Sequence, residues 1–303
     1  MRIVSLLPSA TEIVCALGAQ ADLVGTSHEC DYPPQVQSLP RLTRARIDLG
    51  GDSLAIDNAV RHVIRNALSI YAVDESRLAA LRPDVIITQD LCEVCAVSLD
   101  DVRSAVARIA QREEVKLVSL SPTRLDDVLG DVERVAEALG LGERGAAVRT
   151  SLQARLDALT ARSAAIGHRP RVASIEWIEP IMLGGTWMPE LISRAGGEPV
   201  GVEDGAPAPT LSPTELAALE PDVVVLKPCG FTIERTLEER ERIATHIVSA
   251  LPPTTAIYVA DGNAFFNRPG PRLVESAEIL AACTHPEAFP ELARAHGANV
   301  RRW

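Results

Sequence analysis

The sequence predicts an α/β protein of two lobes, each built on a mostly parallel central sheet and joined by a long helical linker. Three observations predict it. The chain has 303 residues, enough for two medium domains, and its 47% hydrophobic and 23% charged content is that of an ordinary globular protein. The chain also echoes itself: residues 78–87 read LAALRPDVII and residues 216–225 read LAALEPDVVV, while Arg2-Ile3-Val4-Ser5-Leu6 is matched by Arg171-Val172-Ala173-Ser174-Ile175. Finally, short β-branched runs alternate with helical periodicity, the pattern of βαβ units covered on both faces, so the lobes are expected to be Rossmann-like.

In chain order, residues 2–7 read as a strand, Pro8-Ser9 as a loop, and the next stretch as a helix that Ser9 or Thr11 can cap and Gly18 can end. Further strands are expected near 22–26, 84–88 and 115–120, and in the second lobe near 171–176, 198–202, 222–226 and 256–260. Between the lobes, Leu125, Val128, Leu129, Val132, Val135, Ala136 and Leu139 recur on one helical face. Gly140 and Gly142 interrupt the run before Leu152, Leu156 and Leu159 resume it. Residues 275–283 and 289–295 read as closing helices before the basic Arg301-Arg302. The domain boundaries expected are 1–123, a linker over 124–168, and 169–303.

The net charge of −11 argues against nucleic acid as a partner, because that surface needs a basic footprint. No apolar run approaches the roughly 20 residues of a membrane span, so the chain is not expected to be membrane-embedded. The N-terminus imitates a secretory leader, with Arg2, the apolar Ile3 to Leu7, and Ala19-Gln20-Ala21 as a cleavage-like site. Pro8 and Glu12 break that stretch, and removal would delete the first core strand. A cytoplasmic address with reduced thiols is therefore expected.

In open parallel sheets ligands bind beyond the carboxyl ends of the strands. The loops there hold Ser9 and six of the ten aromatics: Tyr32, Trp177, Trp187, Phe231, Phe265 and Phe266. Such clustering points to a cleft between the lobes that offers flat apolar faces to a bulky ligand; packing of loops onto the lobe is the alternative. His28, Cys30, Cys92, Cys95 and Cys229 fall in the same loops. The Cys92-x-x-Cys95 pair can place two thiolates on one metal, with Cys229, or Cys30 and His28, completing a tetrahedral set for zinc, iron or an iron–sulfur cluster. A redox pair or thiols that line the cleft are the other readings. Asp90 and Glu93 bracket Cys92 and can tune it. Asn267, Arg268 and Arg272 suit carboxylate or phosphate groups, or alternatively acids of the first lobe. Glu176 and Glu179 can accept hydrogen bonds from a ligand amide. The P-loop, GxGxxG, GxSxG and HExxH motifs do not occur.

The run RIVSLLPSATEIVCALGAQADLVGTSHECDYPP from Arg2 to Pro34, then VDESRLAALRPDVIITQ, the helical linker and RPGPRL resemble the cobalamin-binding periplasmic proteins of vitamin B12 import. These belong to the helical-backbone class of ABC-transporter substrate-binding proteins, which also carries iron–siderophores and haem. The resemblance covers nearly the whole chain and implies a cobalamin-like corrinoid or comparable flat metal chelate between two α/β lobes. Relatives dock on a permease through one glutamate per lobe, whereas the matching positions here hold Ser76 and Thr214, with Glu75 and Glu215 one residue off. One helical residue turns a side chain by about 100°, which argues against that docking.

The function expected is thus a binding protein for a corrinoid or other bulky metal chelate, acting in the cytoplasm, with a thiol or His28 available to the metal. The alternative is a metal- or iron–sulfur-dependent enzyme on the same scaffold, with Glu29, Asp31 or Glu176 as acid or base.

Overall fold

Alternation of buried strands with covering helices organises both halves of the computed structural model, which describes residues 1–65, 71–89 and 115–303. Two compact units result. The first comprises Met1–Gly51, Ala55–Pro122 and Asp126–Ser151; the second comprises Asp52–Leu54, Thr123–Leu125 and Leu152–Trp303. The α/β class with mostly parallel central sheets in two lobes is what the structure shows.

The first unit holds strands β1 (Ile3–Ser5), β2 (Leu23–Thr26), β3 (Thr43–Ala45), β4 (Tyr71–Val73), β5 (Val85–Gln89) and β6 (Lys116–Leu120). Its main sheet runs β2-β1-β5-β6, every pair parallel, and β3 with β4 forms a separate antiparallel pair. Val4, Leu6, Leu42, Tyr71, Leu78 and Ile86 pack as one buried cluster. Burying such side chains supplies about 1.5–3 kcal/mol each, enough to override the poor packing of strands only three residues long. β1 is buried throughout, and Ser9 to Val14 of the helix Pro8–Ala16 are buried beside it.

The second unit holds β7 (Arg171–Trp177), β8 (Ile181–Leu183), β9 (Glu198–Pro199), β10 (Thr210–Leu211), β11 (Val223–Leu226), β12 (Ala256–Ala260) and β13 (Val300–Arg302). The path is β10-β8-β7-β11-β12-β13, with β9 also beside β7. The β9, β7, β11 and β12 strands are parallel neighbours, and β8, β10 and β13 add antiparallel edges. All eight strands expected from the sequence are present. The short edge strands escaped it because two or three residues carry no readable alternation.

Helix termini explain two departures. Ser9 and Thr11 do not cap the first helix; it starts at Pro8, whose fixed φ suits the first turn, and Leu7 is the cap residue. Gly18 does end it, at φ 74°. Residues 124–166 form two helices, Leu125–Ala138 and Gly142–Ala164, separated where Gly140 adopts φ 71°. Gly142 does not interrupt; it opens the second helix.

Candidate functional site

The carboxyl ends of the parallel strands carry a polar constellation in each unit. In the first, β2 runs into Ser27-His28-Glu29-Cys30. The His28 backbone N–H donates to Thr43 Oγ1 at 3.0 Å, and Nδ1 shares a 2.7 Å hydrogen bond with the same oxygen. Tyr71 packs edge-on against the imidazole at 5.1 Å and donates its hydroxyl to Glu29 Oε1 at 2.8 Å. Arg41 gathers the loop by donating to Thr26 Oγ1 and to the carbonyls of Ser27 and Cys30. Burial pulls the His28 pKa below its ordinary value, Glu29 opposes that and Arg41 reinforces it, so the ring is held neutral. Its Nε2 is buried without a hydrogen-bond partner.

The thiol of Cys30 is wholly buried, 3.1 Å from Thr11 Oγ1, whose hydroxyl lies 2.8 Å from Ser5 Oγ. Ser9 is buried inside the first helix and its hydroxyl has no hydrogen-bond partner. Tyr32, at 45% exposure, is the open aromatic of this unit.

In the second unit three neighbouring strands converge on one ion pair. Glu176 lies near the end of β7, Lys227 directly follows β11, and Asn267 sits in the loop after β12. The Lys227 side chain is 0% exposed and donates from Nζ to Glu176 Oε2 at 3.1 Å and Asn267 Oδ1 at 3.0 Å. Asn267 turns its amide nitrogen to the carbonyls of Lys227 and Gly262. Space for the ammonium comes from Gly184, where a Cβ would stand 3.0 Å from Nζ, and Gly262 leaves room for the Lys227 carbonyl.

Beside Glu176, Trp177 is half-buried. Its indole N–H donates to the Ser53 carbonyl at 3.2 Å, and its ring tilts against Phe231 at 5.3 Å. The Arg235 guanidinium lies 4.2 Å from the Phe231 centroid. Ser53 is itself fixed by Glu239, which accepts from the Ser53 N–H and hydroxyl.

Several sequence expectations are corrected here. Phe266 is 0% exposed and its carbonyl accepts from the Trp187 indole at 2.8 Å, so these two rings pack the 261–272 loop instead of offering a face. Phe265 is also buried, and Phe231 backs Trp177. Arg268 is buried and donates to Asn263 Oδ1, while Arg272 lies over the Phe265 ring at 5.3 Å. Both guanidinium groups are thus engaged with their own loop. The metal set is not assembled by the described residues, among which no three His, Cys, Asp or Glu side chains gather to hold an ion. Asp90, Cys92, Glu93 and Cys95 lie outside the described residues, Cys30 is tied to Thr11, and Cys229 is exposed with its N–H donating to the Glu176 carbonyl. Glu29 and Glu176, named as acids or bases, are taken by Tyr71 and Lys227.

Sequence reasoning missed Lys227 as a site residue. A signal was available: it is one of two lysines against 28 arginines. An ammonium is a compact point charge on a slender stem, and a planar guanidinium would not enter the same space. Arg41, Thr43 and Tyr71 were missed because the β3–β4 pair was.

The family model described as a periplasmic binding protein matches residues 3–254. The chain belongs to that family. A vitamin B12-binding protein of Yersinia pestis (strain Pestoides F) is 23% identical over 301 residues, covering 95% of this chain and 87% of the relative. Among solved structures, a periplasmic haem-binding protein of Pseudomonas aeruginosa superposes with a TM-score of 0.71 at 21% identity, covering 94% of this chain and 93% of that one. A periplasmic vitamin B12-binding protein of Vibrio cholerae gives 0.65 at 19% identity, covering 97% and 98%. At such identities the structural likeness establishes the fold, and the family read from the Arg2 to Pro34 motif is confirmed. Among the described residues of this periplasmic binding protein family member, no helix is long and apolar enough to cross a membrane.

Proposed function

We propose that the protein binds a flat, bulky metal chelate, with a cobalamin-like corrinoid as the first ligand class and haem as the second. The observation that carries this reading is Trp177: a part-buried indole, pinned by Ser53 and backed by Phe231, at the carboxyl edge of a parallel sheet and next to the Glu176 carboxylate. An aromatic face already held in place loses little freedom when a conjugated ring stacks on it. The names of the relatives, vitamin B12-binding and haem-binding, supply the two ligand classes. Among the described residues no cluster that could hold a metal favours the enzymatic alternative.

Titration of the protein with cyanocobalamin and with haemin, followed in the visible spectrum, tests the proposal. Saturable binding of one of them is expected, and Trp177→Ala should weaken it at least about tenfold, as loss of a stacking anchor does. Absence of saturable binding to both would overturn it. The proposal keeps the cytoplasmic address; recovery of the protein only in periplasmic or extracellular fractions would refute that part. Glu215, one residue off the docking position that the resemblance implies, closes a capping box with Ser212, whose N–H and hydroxyl both donate to its carboxylate.

A further inference from the structure

The ion pair at the carboxyl edge of the second unit is not required by the scaffold. The echo between the units is in register: Ile3 pairs with Val85 in one sheet as Val172 pairs with Val223 in the other. Counting along the strands, Glu176 corresponds to Leu7 and Lys227 to Gln89, both buried and uncharged. The first unit therefore builds the same two strand ends without a charge. In the second, a lysine has been taken wholly out of water, at a desolvation cost that a neutral residue avoids, and two glycines make room for it.

What the pair shows to solvent decides its use. Lys227 is 0% exposed, whereas 24% of the Glu176 side chain is reachable. Only the negative end of the pair is on display. It is fixed, because Lys227 holds Oε2 and is itself held by Asn267. A carboxylate pinned in one orientation is a strong acceptor for N–H donors and repels another carboxylate.

Resting on the chelate-binding reading above, we infer that Glu176, positioned by the buried Lys227, selects chelates whose rim carries amide N–H groups over those whose rim carries carboxylates. Trp177 takes the ring face and Glu176 reads the ring edge. Lys227 is a positioning residue that never meets the ligand.

Two forms of one corrin ring make the test: cobyric acid, whose rim side chains are mostly primary amides, and cobyrinic acid, with carboxylates throughout. The wild type is expected to bind the amide form at least about tenfold more tightly, the worth of one charge-assisted hydrogen bond. The net charge of −11 adds to that preference in every variant, so the change in ratio is the informative quantity. Glu176→Gln should cut the ratio at least about fivefold, by weakening the amide form and strengthening the acid form. Because Glu176→Gln leaves the buried ammonium unneutralised and can weaken the fold, the double variant Glu176→Leu with Lys227→Gln is measured beside it. That double variant installs the first unit's uncharged pair, should melt with the wild type, and should lose the preference equally. Unchanged ratios in both variants would overturn the inference while the chelate-binding reading stands. If the wild type binds neither corrin nor haemin, the reading itself falls and takes the inference with it.

Discussion

The two units repeat one backbone plan and diverge where that plan ends. In both, an arginine opens the central strand with its N–H on the aspartate of the Pro-Asp turn: Arg2 to Asp84 at 2.7 Å and Arg171 to Asp222 at 2.8 Å. The aspartate N–H returns to the arginine carbonyl at 2.9 Å in each. The arginine Nε then reaches the last helical turn, to the carbonyl of Leu81 in one unit and Leu219 in the other. Even the residue before the proline is alike, with Arg82 at φ 42° and Glu220 at φ 45°. At the carboxyl ends the likeness stops: a network of His28 and Thr43 flanked by Glu29 and Arg41 in one unit, a buried Lys227–Glu176 pair in the other. Residues that the plan needs are repeated, and residues that it does not need are where the two units acquire separate chemistry.

The largest expected effect tests that division. Glu176→Ala strands the wholly buried Lys227 ammonium, and breaking one side of such a pair costs about 3–5 kcal/mol. The double change to the first unit's Leu and Gln should stay within about 1 kcal/mol of the wild type, because both charges leave together. Urea unfolding curves measure both. If the double variant is as unstable as the single one, the pair belongs to the scaffold after all and the comparison fails at its centre.

The same division explains what the sequence made legible. Strand positions and class followed from LAALRPDVII and LAALEPDVVV because helix end, turn and strand are local patterns with a period. The site was legible only as a place. Glu176, Trp177 and Asn267 were named from the loops that hold them, yet Trp187 and Phe266 turned inward, since a backbone carbonyl accepting from an indole leaves no trace in composition. Lys227 was overlooked because it closes an apolar strand, where a charge reads as the first loop residue until its 0% exposure is known. Arg41, Thr43 and Tyr71 depend on a strand pair too short to show alternation.

Acidity offers a second contrast, of intermediate size. In the first unit, burial pushes Asp131 up to about 6, with Arg134 pulling down and Asp127 adding to the rise; Oδ2 has no hydrogen-bond partner. A group raised in the folded state favours folding at low pH, and that contribution is present below its ordinary 3.8 and lost as pH rises through 6. In the second unit, burial also raises Glu278, but hydrogen bonds from His296 and Arg155 outweigh it and hold the group below its ordinary 4.5. Its contribution is present above 4.5 and lost as pH falls through the folded value. Asp131→Asn should therefore raise stability at pH 7 by on the order of 1–2 kcal/mol and flatten the curve between pH 4 and 6. Glu278→Gln should lower stability at pH 7 by about 0.5–1 kcal/mol, allowing for solvent screening. Matching pH profiles for the two variants would erase this contrast.

Where the plan is shared, effects should be equal. Asp84→Ala and Asp222→Ala each remove an acceptor from the arginine N–H of the adjoining strand. Each should cost about 1 kcal/mol, and the two values should agree within about 0.5 kcal/mol. A gap larger than that in urea titrations would mean that similar geometry conceals different support.

The smallest effect is also the most direct check on the repeat, because it changes a backbone preference and almost nothing else. Arg82 and Glu220 are exposed, and each donates its N–H back into the preceding helix, to Ala79 and Ala217, from a left-handed conformation. A side chain there costs about 1–2 kcal/mol through the clash of Cβ with the following carbonyl. Glycine removes the clash and returns part of the gain as extra freedom in the unfolded chain, about 0.5–1 kcal/mol. Arg82→Gly and Glu220→Gly should each stabilise by up to about 1 kcal/mol, a rise of about 2 °C in a thermal melt. Agreement in sign and size would tie both turns to one backbone solution; a gain in one unit and a loss in the other would show that the echo of letters is not an echo of strain.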